Sequence, residues 1–322
     1  YDSPGYAESV AVAGSHVYLA DGPAGLRVVD VSDRTRPHKV AVAYGLNYAF
    51  DVVVVGGRAY LAAAGAGLLI ADVSEPARPE EIGSLDTPGY AYGVAVSGNT
   101  AYVADGWGGL RLVDTAVPSR PREIGSADTL GWAFDVAVKN GVAYVADGWG
   151  GLWLFDVTKQ AAAVEIGSHR TKGPFASSLA ISGSRVWVAD REAGLRIIDA
   201  SDPARPAQVG QYRPFGYAAD VAASGNYVYL AAGQYGLRVV DVSDPARPRE
   251  VGSETTLGWA ETIAVAGQYA YVGTMPYGGW NGLQIVNIAD PAHPRLVSSL
   301  AIEPGVARDI VVKGGVAYIP DE

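Results

Sequence analysis

The chain has no cysteine, one methionine and four histidines in 322 residues, and each shortage removes a class of chemistry. Without cysteine there are no disulfides, no thiolate-held zinc and no thiol nucleophile. That suits a secreted protein needing no covalent staples, and equally a cytosolic one. His16, His38, His169 and His293 fall at four different positions of the repeat described below, so they form no single cluster. Charged residues are only 18% and leave a net charge of −10. An acidic surface argues against nucleic acid, whose phosphates require clustered Lys and Arg, although it is compatible with bound cations. Apolar runs are short and broken by Gly or charge, so no membrane-spanning helix is expected. Helical periodicity is missing, which excludes a helical solenoid. There is no Gly-x-Ser-x-Gly elbow, phosphate loop or His-Glu-x-x-His. The chain opens at Tyr1 rather than Met, which reads as a segment whose leader, if any, has been removed.

What is abundant is glycine (41), proline (19) and tyrosine (19), a balance suited to many short strands joined by tight turns. The motif Leu-x-x-x-Asp recurs as Leu26–Asp30, Leu68–Asp72, Leu110–Asp114, Leu152–Asp156, Leu195–Asp199 and Leu237–Asp241, with a seventh copy ending in Asn287. The last position is spaced by 42, 42, 42, 43, 42 and 46 residues. A period near 42 matches a four-stranded propeller blade. Each repeat reads as strand A (Val94–Val96), a Gly hairpin, strand B (Ala101–Ala104), strand C (Leu110–Asp114), a turn bracketed by prolines such as Pro245 and Pro248, and strand D (Arg249–Gly252). The prolines sit where a fixed φ and a missing N–H do no harm.

The expected fold is all-β: one propeller domain over residues 1–322, built from four-stranded antiparallel blades. The repeats run 7–48, 49–90, 91–132, 133–175, 176–217, 218–259 and 260–306, followed by a half-repeat, 307–322. Alanine leads into strand A in every copy (Ala7, Ala49, Ala91, Ala133, Ala176, Ala218, Ala260 and Ala307). Two positions later the residue alternates: Ser9, Gly93, Ser178 and Thr262 in odd repeats, Asp51, Asp135, Asp220 and Asp309 in even ones. An alternation that includes the half-repeat points to eight blades, the last incomplete in this chain, with seven as the alternative. Strand A carries small residues and Asp on one face (Ala133, Asp135, Ala137) and bulk on the other (Phe134, Val136, Val138). The bulky face of one blade would then seat on the small face of its neighbour, and the ring would close because no blade covers itself.

Leu26-Arg27-Val28-Val29-Asp30, Leu195-Arg196-Ile197-Ile198-Asp199 and their partners resemble the LVIVD repeat family over nearly the whole chain. The resemblance implies a propeller and an extracellular or cell-surface setting, and brings no catalytic residues to carry over. Asn287 and the irregular turn 158–163 depart from the pattern.

In such blades the D–A and B–C connections share one end. The D–A loops carry an aromatic column of Tyr6, Tyr48, Tyr90, Trp132, Phe175, Tyr217 and Trp259. The B–C loops add Trp107, Trp149 and Tyr235, and a longer seventh loop holds Tyr277 and Trp280. Such rings would stack on sugars or grip a protein loop; alternatively the D–A column plugs the gaps between blades. Asp51, Asp135, Asp220 and Asp309 would coordinate Ca²⁺ or, alternatively, accept backbone N–H bonds at strand starts. A further column at the end of strand B (Asp21, Asp105, Asp147, Asp190, Asp321) reads as loop-shaping.

Three functions follow. The first is a non-catalytic secreted or surface scaffold that binds protein or glycan through the aromatic loops. The second is a structural subunit assembling head-to-tail by strand addition at the incomplete blade, where Ala317–Ile319 would be an open edge. The third is a Ca²⁺-dependent hydrolase or lyase, since paired carboxylates on propellers do serve such chemistry.

Overall fold

The Leu-x-x-x-Asp motif is the third strand of its blade wherever it occurs, and it is buried on both faces, which is why it reads as a continuous apolar run. Leu26, Leu68, Leu110, Leu152, Leu195 and Leu237 are fully buried. The computed structural model describes residues 5–43, 48–159, 163–170, 175–277, 280–302 and 306–320. Among these residues every regular element is a strand, and seven four-stranded antiparallel sheets follow one another along the chain at 9–43, 51–85, 93–127, 135–169, 178–212, 220–254 and 259–301. Each has the order A-B-C-D, so consecutive strands are neighbours. The Asp2–Pro4 stretch, the centre of the irregular fourth turn (160–162) and Asp321 lie outside the described residues.

Among the described residues there is no eighth four-stranded blade. The last repeat contributes one hairpin, Val311–Lys313 with Val316–Tyr318, which packs on the seventh blade through Ile310 against Tyr271 and Leu283. The alternation that suggested eight has a local cause, described below. The longer seventh B–C loop is also corrected. Its extra residues lengthen strands B (Tyr269–Tyr277) and C (Trp280–Asn287), with Thr274 opposite Gly282 and Tyr277 opposite Trp280. In an antiparallel hairpin, added residues that can pair prolong the ladder instead of leaving their N–H groups unsatisfied.

The chain divides into two compact bodies, residues 1–147 with 154–165 and 320–322, and residues 148–153 with 166–319. Within each body, adjacent blades lock in the same two ways. At one end a β-bridge joins the B–C turn of each blade to the alanine leading into the next: Gly22 to Ala49, Ala64 to Ala91 and Gly106 to Ala133 in the first body, Gly148 to Ala176, Arg191 to Ala218 and Gly233 to Ala260 in the second. All eight alanines of this column are fully buried, so the column marks a close backbone approach. At the other end, strand D carries a bulge followed by glycine in most blades, as at Val239/Val240 opposite Gly252. A Cβ on Gly83, Gly210 or Gly252 would overlap the carbonyl oxygen of Pro118, Pro245 or Pro291 in the next blade's C–D turn. Between these ends, blade 1 seats Tyr18, Leu26 and Val28 against Val52 and Leu61 of blade 2, with Ala20, Ala49, Ala59 and Ala71 making room.

Candidate functional site

Strand C ends in an aspartate that folds back on its own turn. Asp30, Asp72, Asp114, Asp156, Asp199 and Asp241 each accept the N–H two residues on, at 2.7–2.9 Å. Asn287 does the same for Ala289 at 2.9 Å, so the departure in the seventh copy keeps the turn. These hydrogen bonds hold the exposed carboxyls below their ordinary range, Asp241 at about 2 with help from Arg249. The C–D end of each blade is thus one turn repeated.

The B–C end is built on a different aspartate. Asp21, Asp105, Asp147 and Asp190 are wholly buried. Asp105 accepts from Thr87 Oγ1 at 2.5 Å and Gly89 N–H at 2.9 Å; Asp147 accepts from Thr129 Oγ1 at 2.5 Å and Gly131 N–H at 2.7 Å. Burial raises the Asp105 carboxyl, against the pull of those donors. Asp21 and Asp190 meet the arginine of strand C, Arg27 Nε at 2.6 Å and Arg196 Nε at 3.2 Å, and Asp105 stands 3.6 Å from its counterpart, Arg111 Nε. The loop-shaping role read from this column therefore extends to a buried ion pair. Arg27 and Arg196 follow the motif leucine directly, which was the available signal.

Held in this way, the B–C turn presents its third residue outward. Trp107 is 57% exposed and Trp149 60%; Tyr235, one position further on in its turn, is 36% exposed and has the Arg238 guanidinium over its ring at 5.8 Å. Trp280 is half-buried on extended strand C, and the Tyr277 side chain lies outside the described set. The D–A aromatics occupy a second layer. Tyr48, Trp132, Phe175, Tyr217 and Trp259 are half-buried. Tyr48, Trp132 and Trp259 lie over the B–C glycines of the preceding blade: a Cβ on Gly22, Gly106 or Gly233 would approach them within 3.3, 2.7 and 3.0 Å. Tyr6 and Tyr90, at 54% and 49% exposure, are the open members of that column.

The two bodies furnish this end differently. In the first, Phe50, Tyr92 and Phe134, which follow three of its four lead-in alanines, form an aromatic ladder: Phe50 lies 4.7 Å from Tyr48 and 4.9 Å from Tyr92, and Tyr92 lies 5.2 Å from Phe134, while Glu8, which follows Ala7, accepts from the Tyr48 hydroxyl at 2.7 Å. In the second, the same position is Ser177, Ala219, Glu261 and Arg308. There Tyr217 donates to Glu261 at 3.0 Å and accepts from Trp259 Nε1, while Arg191 stands 5.1 Å from the Phe175 ring and 5.7 Å from that of Tyr217. Burial raises the Glu261 carboxyl, and burial together with Glu261 pushes the Tyr217 phenol up to about 12. Sequence reading passed over this column because its members share a position and no chemistry.

Two of the strand-A aspartates, Asp51 and Asp220, each bridge three blades. Asp51 accepts from Ser9 Oγ at 2.8 Å, its neighbour Val52 N–H at 2.7 Å and Val94 N–H at 2.9 Å. Asp220 accepts from Ser178 Oγ at 2.6 Å, Thr262 Oγ1 at 3.1 Å, and the N–H groups of Val221 and Ile263 at 2.8 Å. The odd–even alternation is therefore a donor–acceptor pattern between neighbouring blades and needs no even blade number. Asp309 accepts Ile310 N–H at 2.7 Å, and Asp135, at the matching place in blade 4, is half-buried. Among the described residues no group of three or more His, Asp or Glu side chains is placed to hold a metal ion.

The comparisons with known proteins agree with this architecture. The structure resembles the computationally designed Ika8 protein at a TM-score of 0.82 and 10% identity, over 99% of this chain and 94% of that one. Saccharomyces cerevisiae Sqt1 matches at 0.77 and 10% identity, over 97% and 89%. The WD40 repeats of RRP9 match at 0.66 and 9% identity, over 92% and 96%. At such identities the likeness is one of fold, the β-propeller of four-stranded blades to which WD40 repeats belong. No curated protein shows significant sequence similarity to the chain. The LVIVD repeat is matched at residues 4–41, 47–87, 88–129, 130–171, 175–213, 215–256, 257–301 and 304–322. With eight matches spanning nearly its whole length, the chain belongs to the LVIVD repeat family.

Proposed function

We propose that the protein is a non-catalytic interaction scaffold that binds a protein or glycan partner through the B–C and D–A end of its blades. The observation that carries the reading is the exposure of Trp107 and Trp149 on turns whose frame is otherwise fixed and buried. A tryptophan more than half in water contributes little to its own fold, and such side chains dominate the energetics of binding surfaces. Rigid turns also suit recognition, because little conformational entropy remains to be lost on association. The setting implied by the family likeness is the cell surface or the exterior.

The test is the triple variant Trp107→Ala, Trp149→Ala, Trp280→Ala, compared with wild type on a glycan array and a panel of purified cell-surface proteins. The reading expects partners bound by wild type to be lost by the variant at a matched melting temperature. Undiminished binding by the folded variant would remove it. Turnover of any glycan or lactone by wild type would favour a hydrolase or lyase instead.

A further inference from the structure

The second repeat departs from its neighbours at three places on one end. Where the B–C turns of repeats 3 and 4 carry a buried Asp and an outward Trp, this one reads Ala63-Ala64-Gly65-Ala66-Gly67. Where strand C of repeats 1, 3, 5 and 6 carries arginine after the motif leucine, it carries Leu69. Together the losses leave a cleft of about 630 Å³, walled by Tyr48 and Tyr90, floored by Gly65, Ala66 and Leu69, and edged by Glu81, Ser84 and Asp86.

Blades 3 and 6 show what the same place ordinarily holds. There Arg111 and Arg238 stand opposite Ser126 and Ser253 and reach the strand-D glutamates Glu123 at 3.6 Å and Glu250 at 3.1 Å. In blade 2 the register is identical, with Leu69 opposite Ser84 and Ala71 opposite Glu81. The glutamate and the serine are kept, and the cation is gone. Glu81 and Asp86 are exposed and have no hydrogen-bond or ion-pair partner among the described residues. Blade 4 also lacks the arginine, but there Trp153 is buried in its place.

We propose that this cleft takes an arginine side chain from a protein partner, the guanidinium lying between Tyr48 and Tyr90 and pairing with Glu81 and Asp86. The proposal rests on the scaffold reading and gives it a specific pocket. An aromatic wall attracts a cation through its ring quadrupole, and a guanidinium also presents its planar fork of donors to a carboxylate. The fold already stacks guanidinium on these aromatic columns, with Arg191 over Phe175 and Tyr217 and Arg238 over Tyr235. None of the described residues lining the cleft is cationic.

The probe is acetyl-Gly-Arg-Gly-amide, titrated while the amide signals of Gly65 and Ser84 are followed by NMR, with the neutral citrulline peptide as control. Saturable shifts with arginine are expected, at least about fivefold weaker with citrulline and about three- to fivefold weaker in Glu81→Gln, as for an exposed ion pair. Leu69→Arg restores the internal cation of blades 3 and 6 and should abolish the response while keeping the fold. Gly65→Trp, which copies the tips at Trp107 and Trp149, should abolish it by filling the cleft; a Cβ at Gly65 meets only Tyr90, at 3.9 Å. Equal shifts with citrulline, or an unchanged response in folded Leu69→Arg, would overturn the proposal. Trp107→Ala with Trp149→Ala should leave the arginine response intact. Should that pair lose partner binding while wild type gives no arginine response, the scaffold reading stands and this pocket falls.

Discussion

The two ends of each blade are made from the same repeat and obey different rules. At the C–D end, seven turns close with the same side-chain acceptor on the same backbone donor, and four strand-D glycines, Gly83, Gly167, Gly210 and Gly252, admit the next blade's proline turn. At the B–C end the frame is also repeated, in the lead-in alanines and their bridges, but the tips read Pro23, Gly65, Trp107, Trp149, Glu192 and Gln234. Repeated columns satisfy backbone groups and set the distance between blades. The departures from them hold the exposed aromatics and the cleft of blade 2. A repeat protein can thus separate its frame from a variable surface by which positions differ between copies.

The largest effect should come from a frame acceptor. Asp220→Ala leaves the Val221 and Ile263 N–H groups and the Ser178 and Thr262 hydroxyls without their carboxylate. At about 1–3 kcal/mol for each buried group left unsatisfied, a loss of at least about 3 kcal/mol is expected in urea denaturation. A change under about 1 kcal/mol would show that this column is not structural. Gly210→Ala should follow, costing about 1–3 kcal/mol as its methyl displaces the Pro245 carbonyl. The same substitution at Gly65, where space is open, should be close to neutral, and equal costs at the two sites would erase the distinction between frame and tip.

Much of the frame was legible in the sequence because its residues recur at one spacing. The alanine column, strand C and the proline turns could each be placed without coordinates. The strand-D bulge escaped because it adds a residue without changing the period, and the Gly–Pro contact because its partners belong to different repeats. The alternation of Asp with Ser, Gly or Thr was read as a rule about blade number. It is satisfied one neighbour at a time, as Ser9–Asp51 and Ser178–Asp220 show, and so cannot count blades. At the site, the exposed tryptophans were visible as variation, whereas the cleft was not. It is formed by what Gly65 and Leu69 omit, and an omission shows only beside Arg111–Glu123 and Arg238–Glu250.

A smaller, pH-dependent effect separates the two kinds of aspartate. The Asp241 carboxyl is lowered from 3.8 to about 2. The stability it lends is therefore present above 3.8 and lost as pH falls toward about 2. Burial raises the carboxyls of Asp51 and Asp220, and their sign is opposite: acid relieves the cost of burying their charge. Asp241→Asn should keep the turn, as Asn287 does, give up the Arg249 pair at 2.9 Å, and flatten the acid limb of a stability–pH curve. An unchanged acid limb would assign acid sensitivity to other groups.

The smallest effect on folding belongs to the tips, and it bears most directly on the account. A saturation scan of folded-protein abundance, scored position by position, should find Trp107 and Trp149 tolerant of most substitutions, with stability changes within about 0.5 kcal/mol. The same scan should find Asp51, Asp220, Gly210 and the lead-in alanines intolerant of nearly all. Should the two tryptophans prove as intolerant as those columns, the aromatic tips belong to the frame, and the division between scaffold and recognition surface is contradicted.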